Sequence, residues 1–211
     1  PSYIKLAYLP GFNVVRLRLT GISDGKVDIH KEVNAFADRI KERVLDALVS
    51  EEDLSMAELV FQLLEKKGKT ISVAESCTGG YISHLLTMIP GVSKVFVGSV
   101  VSYSNSVKHH QLGVENTLFE TVGAVSEQVV TEMAAGVRER LETDYSIAVS
   151  GVAGPGGGSI EKPVGTVYIS VSSKNKSVVK RFQFNGDRMN VIARSANLGF
   201  DLLRRLILEN D

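Results

Sequence analysis

The chain has 211 residues, no formal net charge and a single cysteine, and 44% of its residues are hydrophobic. This composition excludes a mainly disordered chain and a secreted scaffold built on disulfides, and the balanced charge gives no general affinity for polyanions. Because no apolar run reaches the ~18–20 residues that a membrane-spanning helix needs, we expect a cytoplasmic protein with no membrane and no nucleic-acid partner.

The first 50 residues predict a small α+β domain. Residues 14–20 alternate apolar and polar side chains, as in a half-buried strand. Asp28 is suited to cap a helix that carries apolar residues at helical spacing from Val33 to Leu48. A polar segment at 50–55 then indicates a linker. Since hydrophobic order begins immediately after Pro1, we expect the chain to be a piece of a longer protein.

Residues 51–211 predict a second domain in which strands and helices alternate. Such a pattern, with one hairpin, indicates a mixed α/β sheet flanked by helices. The predicted strands lie at 70–74, 95–103, 145–150, 165–172 and 177–184. The predicted helices lie at 54–67, 81–89, 105–112, 127–141 and 187–208.

The first candidate site is the segment 74–80, Ala-Glu-Ser-Cys-Thr-Gly-Gly, between a strand and a helix. Ligands of α/β sheets gather at the carboxyl ends of strands, and a helix beginning there offers free N–H groups to an anion or an oxyanion. Gly79 and Gly80 allow close approach to the backbone. A purely structural role, with Ser76 or Thr78 as a helix cap and Cys77 as a small buried residue, explains the same residues.

The second candidate site is the segment 101–108, Val-Ser-Tyr-Ser-Asn-Ser-Val-Lys, where another strand ends before a helix. Lys108 falls near the start of that helix, where a cation opposes the helix dipole. Either its ammonium points to solvent, or the lysine is held with a lowered pKa, as a general base requires.

The third candidate site is a glycine-rich loop, which could wrap a phosphate with its backbone amides or serve as a connector. Arg188, at the start of the last helix, is suited to bidentate contact with a phosphate or is a surface charge. No cluster of His and Cys residues has metal-ligand spacing, and the adjacent His109 and His110 cannot share one helix face. The sequence therefore predicts no metal site. The loop glycines singled out are Gly154, Gly156, Gly157 and Gly158.

Six segments together resemble the C-terminal domain of the CinA family, the nicotinamide-nucleotide amidase module. The resemblance covers about residues 65–209, and residues 1–50 resemble the small KH-like domain that precedes this module in full-length CinA proteins, whose larger N-terminal domain is absent from this sequence. The six segments are 74–80, 103–105 with Lys108, 123–126, 150–155, 162–165 and 186–188.

The resemblance implies hydrolysis of nicotinamide mononucleotide to nicotinic acid mononucleotide and ammonia, without a cofactor, by a homo-oligomer. Ser76 is then expected to attack the carboxamide, Lys108 to act as the base, and Tyr103 to relay the proton or to position Ser76. The expected oxyanion and substrate-positioning residues are Thr78, Gly79, Gly80 and Asn105. The expected nucleotide-binding residues are Gly154, Gly156, Gly157, Gly158 and Arg188.

Several alternatives stay open at this point. The domain could be a catalytically silent nucleotide-binding or regulatory module, or a nucleotide pyrophosphatase, although such enzymes usually gather carboxylates around Mg²⁺. Cys77 is a second candidate nucleophile. Glu75 could orient Lys108 or pair with a structural arginine. Nucleic-acid binding by residues 1–50 is disfavoured, because Gly21 and Gly25 have the wrong spacing for a Gly-x-x-Gly loop.

Overall fold

The computed structural model describes residues 2–11 and 14–209 and divides the chain into two compact units between Leu54 and Ser55. The first unit is a hairpin of β1 (Ile4–Pro10) and β2 (Val15–Gly21) followed by α1 (Ile29–Val44) and a short 3₁₀ turn. The carboxylate of Asp28 accepts from the N–H of Lys31, which makes Asp28 the predicted cap of α1.

The second unit is a sheet flanked by helices, and its elements follow the predicted order. Its strands are β3 (Ile71–Glu75), β4 (Phe96–Val101), β5 (Tyr145–Gly151), β6 (Thr166–Ser173) and β7 (Ser177–Gln183). Its helices are α2 (Met56–Lys67), α3 (Tyr81–Thr87), α4 (Asn105–Leu112), α5 (Asn116–Thr121), α6 (Glu127–Arg140) and α7 (Arg188–Glu209). The six-residue α5 was not predicted.

The sheet has the strand order β4-β3-β5-β6-β7. β4, β3 and β5 run parallel, whereas β6 and β7 add an antiparallel hairpin beside β5. This is the mixed α/β sheet that the sequence predicts. Because parallel strands end at one edge, the segments that follow β3, β4 and β5 all emerge together.

Helices cover both faces of this sheet. On β5, Ala148 belongs to the apolar cluster of α6, while the neighbouring Ile147 lies against Gly199 of α7. Since successive residues of a strand point to opposite faces, α6 and α7 pack on opposite sides. Both faces of the sheet are therefore covered, which explains why every residue of β5 before Gly151 is buried.

Gly136 is the point where α6 passes closest to the end of α4. A Cβ at this position would lie 1.8 Å from the backbone oxygen of Leu112. A backbone atom cannot swing aside as a flexible side chain can, so only glycine fits without moving one of the two helices.

We predict that Gly136→Ala lowers the thermal unfolding midpoint by roughly 2–10 °C, because overpacking costs ~1–3 kcal/mol and outweighs the helical preference of alanine. Gly156→Ala is the matched control, since a Cβ there meets nothing within 4 Å. The comparison needs only thermal melts followed by circular dichroism. An equal midpoint for both variants would contradict the close packing of α4 and α6.

Candidate active site

Three segments and one helix end meet at the carboxyl edge of the parallel strands. Ser76 follows β3 directly, Ser102 and Tyr103 follow β4, and a loop at 152–165 follows β5. The first residue of α7, Arg188, reaches the same edge through its hydrogen bonds to Gly154 and Tyr103. The strand topology thus brings together the three segments that the sequence singles out.

The central contact joins Ser76 to Lys108. Lys108 lies on α4 and is only 1% exposed, and its Nζ is 3.0 Å from Ser76 Oγ. The same nitrogen lies 2.7 Å from the backbone oxygen of Ser102 and 3.3 Å from that of Tyr103. Within the described residues, no carboxylate forms an ion pair with this lysine. Its ammonium therefore points into the site and not to solvent.

Burial lowers the pKa of Lys108 to about 8, and the nearby Cys77 acts on that pKa in the opposite direction. The charged form loses its hydration in the interior, and backbone carbonyls compensate for this less than a carboxylate would. A neutral amine has two N–H donors and one lone pair. Because carbonyl oxygens can only accept, they take the two N–H groups, and the lone pair is left for the Ser76 hydroxyl.

Cys77 lies next to Ser76 but has a different electrostatic environment. Its side chain is buried, and burial raises the pKa of the thiol to about 12, although Lys108 and Arg188 act in the opposite direction. The thiolate is the nucleophilic form of cysteine. At neutral pH this residue is therefore a protonated and weakly reactive thiol.

Glu75 caps α3, so neither of the two roles considered for it from the sequence is found. Its fully buried carboxylate accepts hydrogen bonds from the N–H groups of Gly80, Ile82 and Ser83 at 2.9–3.0 Å and from the Ser83 hydroxyl at 2.6 Å. Among the described residues it contacts neither Lys108 nor an arginine. These four donors at the positive end of the helix satisfy both carboxylate oxygens of Glu75.

The turn after Ser76 uses most of its own N–H groups. Gly79 N–H donates to the backbone oxygen of Ser76, and Gly80 N–H donates to Glu75. The N–H groups of Cys77 and Thr78 have no acceptor among the described residues. The buried Oγ1 of Thr78 also lacks a partner there. The donors left for an oxyanion are thus at 77 and 78, whereas the N–H groups of Gly79 and Gly80 are already engaged.

Tyr103 and Arg188 form a second cluster at this edge. The Tyr103 side chain is 64% exposed, and its hydroxyl accepts from the Arg188 guanidinium at 3.1 Å. Arg188 also donates to the backbone oxygen of Gly154 at 2.8 Å. The hydrogen-bond partner of the Tyr103 hydroxyl is therefore Arg188 and not Ser76. The two roles expected of Tyr103, relaying a proton or positioning Ser76, stay predictions.

The remaining predicted residues lie at the rim. Gly154 is buried, whereas Gly156, Gly157 and Gly158 are exposed in the loop that follows β5. Asn105 is exposed on the first turn of α4, and no hydrogen bond holds its side chain within the described residues. None of these four exposed residues hydrogen-bonds to Ser76 or Lys108. Their binding roles stay predictions.

The sequence did not predict the two backbone oxygens that hold the Lys108 amine, nor the contact that Lys162 makes next to the site. The backbone oxygens of Ser102 and Tyr103 hold the amine of Lys108, but every residue has such an oxygen, so no sequence signal marks them. The Lys162 ammonium binds the backbone oxygen of Val122 and links the loop after β5 to the turn before α6. The signal for Lys162 was present, since its segment is one of the six that carry the family resemblance.

The described residues contain no group of three or more His, Cys, Asp or Glu side chains arranged to hold a metal ion. A search of the same residues for a helix long and apolar enough to cross a membrane finds none.

The family model for the CinA C-terminal domain matches residues 53–207. A CinA-like protein of Fervidobacterium nodosum is 46% identical over 195 residues, and one of Thermotoga neapolitana is 43% identical over 196 residues. These matches cover 92% of this chain and 47% of each relative. The chain thus spans about half the length of the curated relatives it matches.

Solved structures show the same likeness. The competence/damage inducible protein CihA from Agrobacterium tumefaciens superposes with a TM-score of 0.70 at 35% identity, over 72% of this chain and 93% of that one. A CinA superfamily protein from Klebsiella pneumoniae superposes with a TM-score of 0.70 at 30% identity, over 74% and 99%.

Proposed function

This chain belongs to the CinA family, and we propose that its second unit hydrolyses the carboxamide of nicotinamide mononucleotide to nicotinic acid mononucleotide and ammonia. The observation that carries the proposal is the contact of Ser76 with a buried lysine amine whose pKa is lowered to about 8. A serine hydroxyl beside a largely dehydrated amine is a nucleophile with its base in place. The substrate comes from the resemblance to the nicotinamide-nucleotide amidases.

The first half of the reaction transfers the acyl group to the enzyme. The lone pair of Lys108 takes the proton of Ser76 while Oγ bonds to the carboxamide carbon. The resulting ammonium then protonates the amide nitrogen, the C–N bond breaks, and ammonia leaves. The product of this half is a nicotinoyl ester of Ser76 with Lys108 neutral again.

The second half reverses these roles. Neutral Lys108 takes a proton from a water molecule, whose oxygen attacks the ester carbon. Collapse of that intermediate breaks the bond to Ser76 Oγ, and Lys108 returns the proton to the serine. One water is consumed and the acid is released, so the same amine serves as base and acid in both halves.

The negative charge on the carbonyl oxygen needs donors in both halves. We assign this role to the N–H groups of Thr78 and Cys77, because those of Gly79 and Gly80 are engaged within the turn. Donors of this kind typically contribute about 10²–10³ in rate each. The two glycines then serve the shape of the turn, where both have positive φ.

The nucleotide part of the substrate carries a phosphate, and Arg188 at the rim is a cation suited to bind it. Arg188 uses two of its nitrogens for Gly154 and Tyr103, so its position is fixed while other N–H groups of its guanidinium remain for an anion. The exposed amides of the loop from 156 to 158 would complete the contact. In this proposal, Arg188 and the loop bind the substrate's phosphate on one side of the site, and Ser76 and Lys108 cleave the amide bond on the other.

We predict that Ser76→Ala abolishes ammonia release from nicotinamide mononucleotide, by about 10³-fold or more, because the nucleophile is lost. The matched control is Cys77→Ala at the adjacent position, which keeps activity within about fivefold since a protonated thiol contributes little. Ammonia is measured by a coupled assay with EDTA present. Activity in Ser76→Ala together with loss in Cys77→Ala would assign the reaction to the cysteine instead.

We also predict that kcat/KM rises with pH through a midpoint near 8. The lysine must be neutral to act as base, and with a pKa of about 8 it is roughly one-tenth neutral at pH 7 and nine-tenths neutral at pH 9. The rate is followed from pH 7 to 10, with circular dichroism as the check on folding. A flat profile between pH 7 and 9.5 would exclude Lys108 as the base.

A further inference from the structure

The carboxylate of Glu75 is a buried polar group next to Ser76 that the proposed reaction does not use. It directly precedes the nucleophile, is fully buried, and has no cation against it among the described residues. Oε2 accepts from the N–H groups of Gly80 and Ile82, and Oε1 accepts from both donors of Ser83. An ionised carboxylate in the interior is costly unless such donors surround it.

These hydrogen bonds close a loop around the nucleophile. Residue 75 is tied to residues 80–83, so the intervening turn, which contains Ser76, is held at both ends. Within the turn, Ser76 N–H donates to the backbone oxygen of Val149 and Ser76 C=O accepts from Gly79. The first fixes Ser76 to β5, and the carboxylate fixes the other end of the turn to α3.

The same carboxylate decides which N–H groups remain for the substrate. It takes those of Gly80, Ile82 and Ser83, and Tyr81 N–H is bonded to the backbone oxygen of Thr78. The N-terminus of α3 is therefore closed to an oxyanion. Without this carboxylate, those N–H groups would need water or another acceptor, and the turn would lose its registration with Lys108.

We propose that Glu75 is a positioning residue that holds Ser76 Oγ in line with Lys108 by occupying the N-terminus of α3. This inference deepens the proposed amidase function and rests on it. Glu75 acts through geometry, since both of its carboxylate oxygens are engaged by Gly80, Ile82 and Ser83, and within the described residues it contacts Lys108 through neither a hydrogen bond nor an ion pair. A displacement of about 1 Å in a reacting group can cost about 10² in rate.

The test compares Glu75→Gln with Ser83→Ala. The glutamine keeps the shape but replaces one acceptor oxygen with a donor, which leaves at least one backbone N–H unpaired. Ser83→Ala removes only the hydroxyl bond and keeps the three backbone bonds. We expect Glu75→Gln to lose about 10–100-fold in kcat with KM within about twofold, and Ser83→Ala to stay within about threefold of wild type.

Three further readouts separate positioning from a general loss of folded protein. Thermal melts show that the variants are folded at the assay temperature, and the pH midpoint of kcat/KM is expected to stay unchanged in Glu75→Gln. The rate at which a fluorophosphonate probe modifies Ser76, followed by intact mass, is expected to fall in parallel with kcat. If Glu75→Gln does not fold, Glu75→Asp, which shortens the reach by one methylene, is expected to show the same losses.

The inference is overturned if the folded glutamine or aspartate variant keeps wild-type kcat and wild-type Ser76 labelling, or if its loss matches the loss of folded protein. A shifted pH midpoint would also overturn it, because the effect would then be electrostatic. Absence of ammonia release from wild type would reject the proposed substrate alone, since the probe still compares Ser76 between variants. Absence of Ser76 labelling in wild type would reject both.

Discussion

The burial of one amine is the constraint on which the site depends. Lys108 Nζ lies out of water against two backbone oxygens and the Ser76 hydroxyl, with no carboxylate paired to it among the described residues. An ion pair would keep the amine charged, whereas carbonyls leave the neutral form accessible near pH 8. The parallel strands produce this arrangement, because Ser76 follows β3 and both carbonyls follow β4 at the same edge of the sheet.

Two buried ionisable residues thus have separate roles within one small volume. The Glu75 carboxylate accepts from N–H groups at the N-terminus of α3, while the Lys108 amine contacts the carbonyls that follow β4. If they were paired with each other, the lysine would stay protonated and could not accept the serine proton, and the N–H groups at the start of α3 would lose their acceptor. Their separation gives the nucleophile a fixed backbone and a dehydrated base, and Arg188 at the rim remains for an anionic substrate.

The architecture and the three loops of the site could be predicted from the sequence, because strand and helix periodicities differ and glycines mark the turns. Lys108 could be selected as a candidate because a cation near the start of a helix is disfavoured by the helix dipole. The groups that bind its amine could not be predicted, since they are backbone oxygens, which every residue carries. The hydrogen bond between Tyr103 and Arg188 could not be predicted either, because the two residues are 85 positions apart in the sequence. The six-residue α5 was too short to show a period.

The central claim is that Lys108 is neutral at a pH where ordinary lysines are charged. Its titration can be followed directly by ¹³C and ¹⁵N NMR of the lysine side chains, with Lys108 assigned by its absence from the spectrum of Lys108→Arg. The account predicts a midpoint near 8 for this lysine, well below the ~10.4 of an unperturbed lysine. A Lys108 that titrates with the surface lysines would contradict the account.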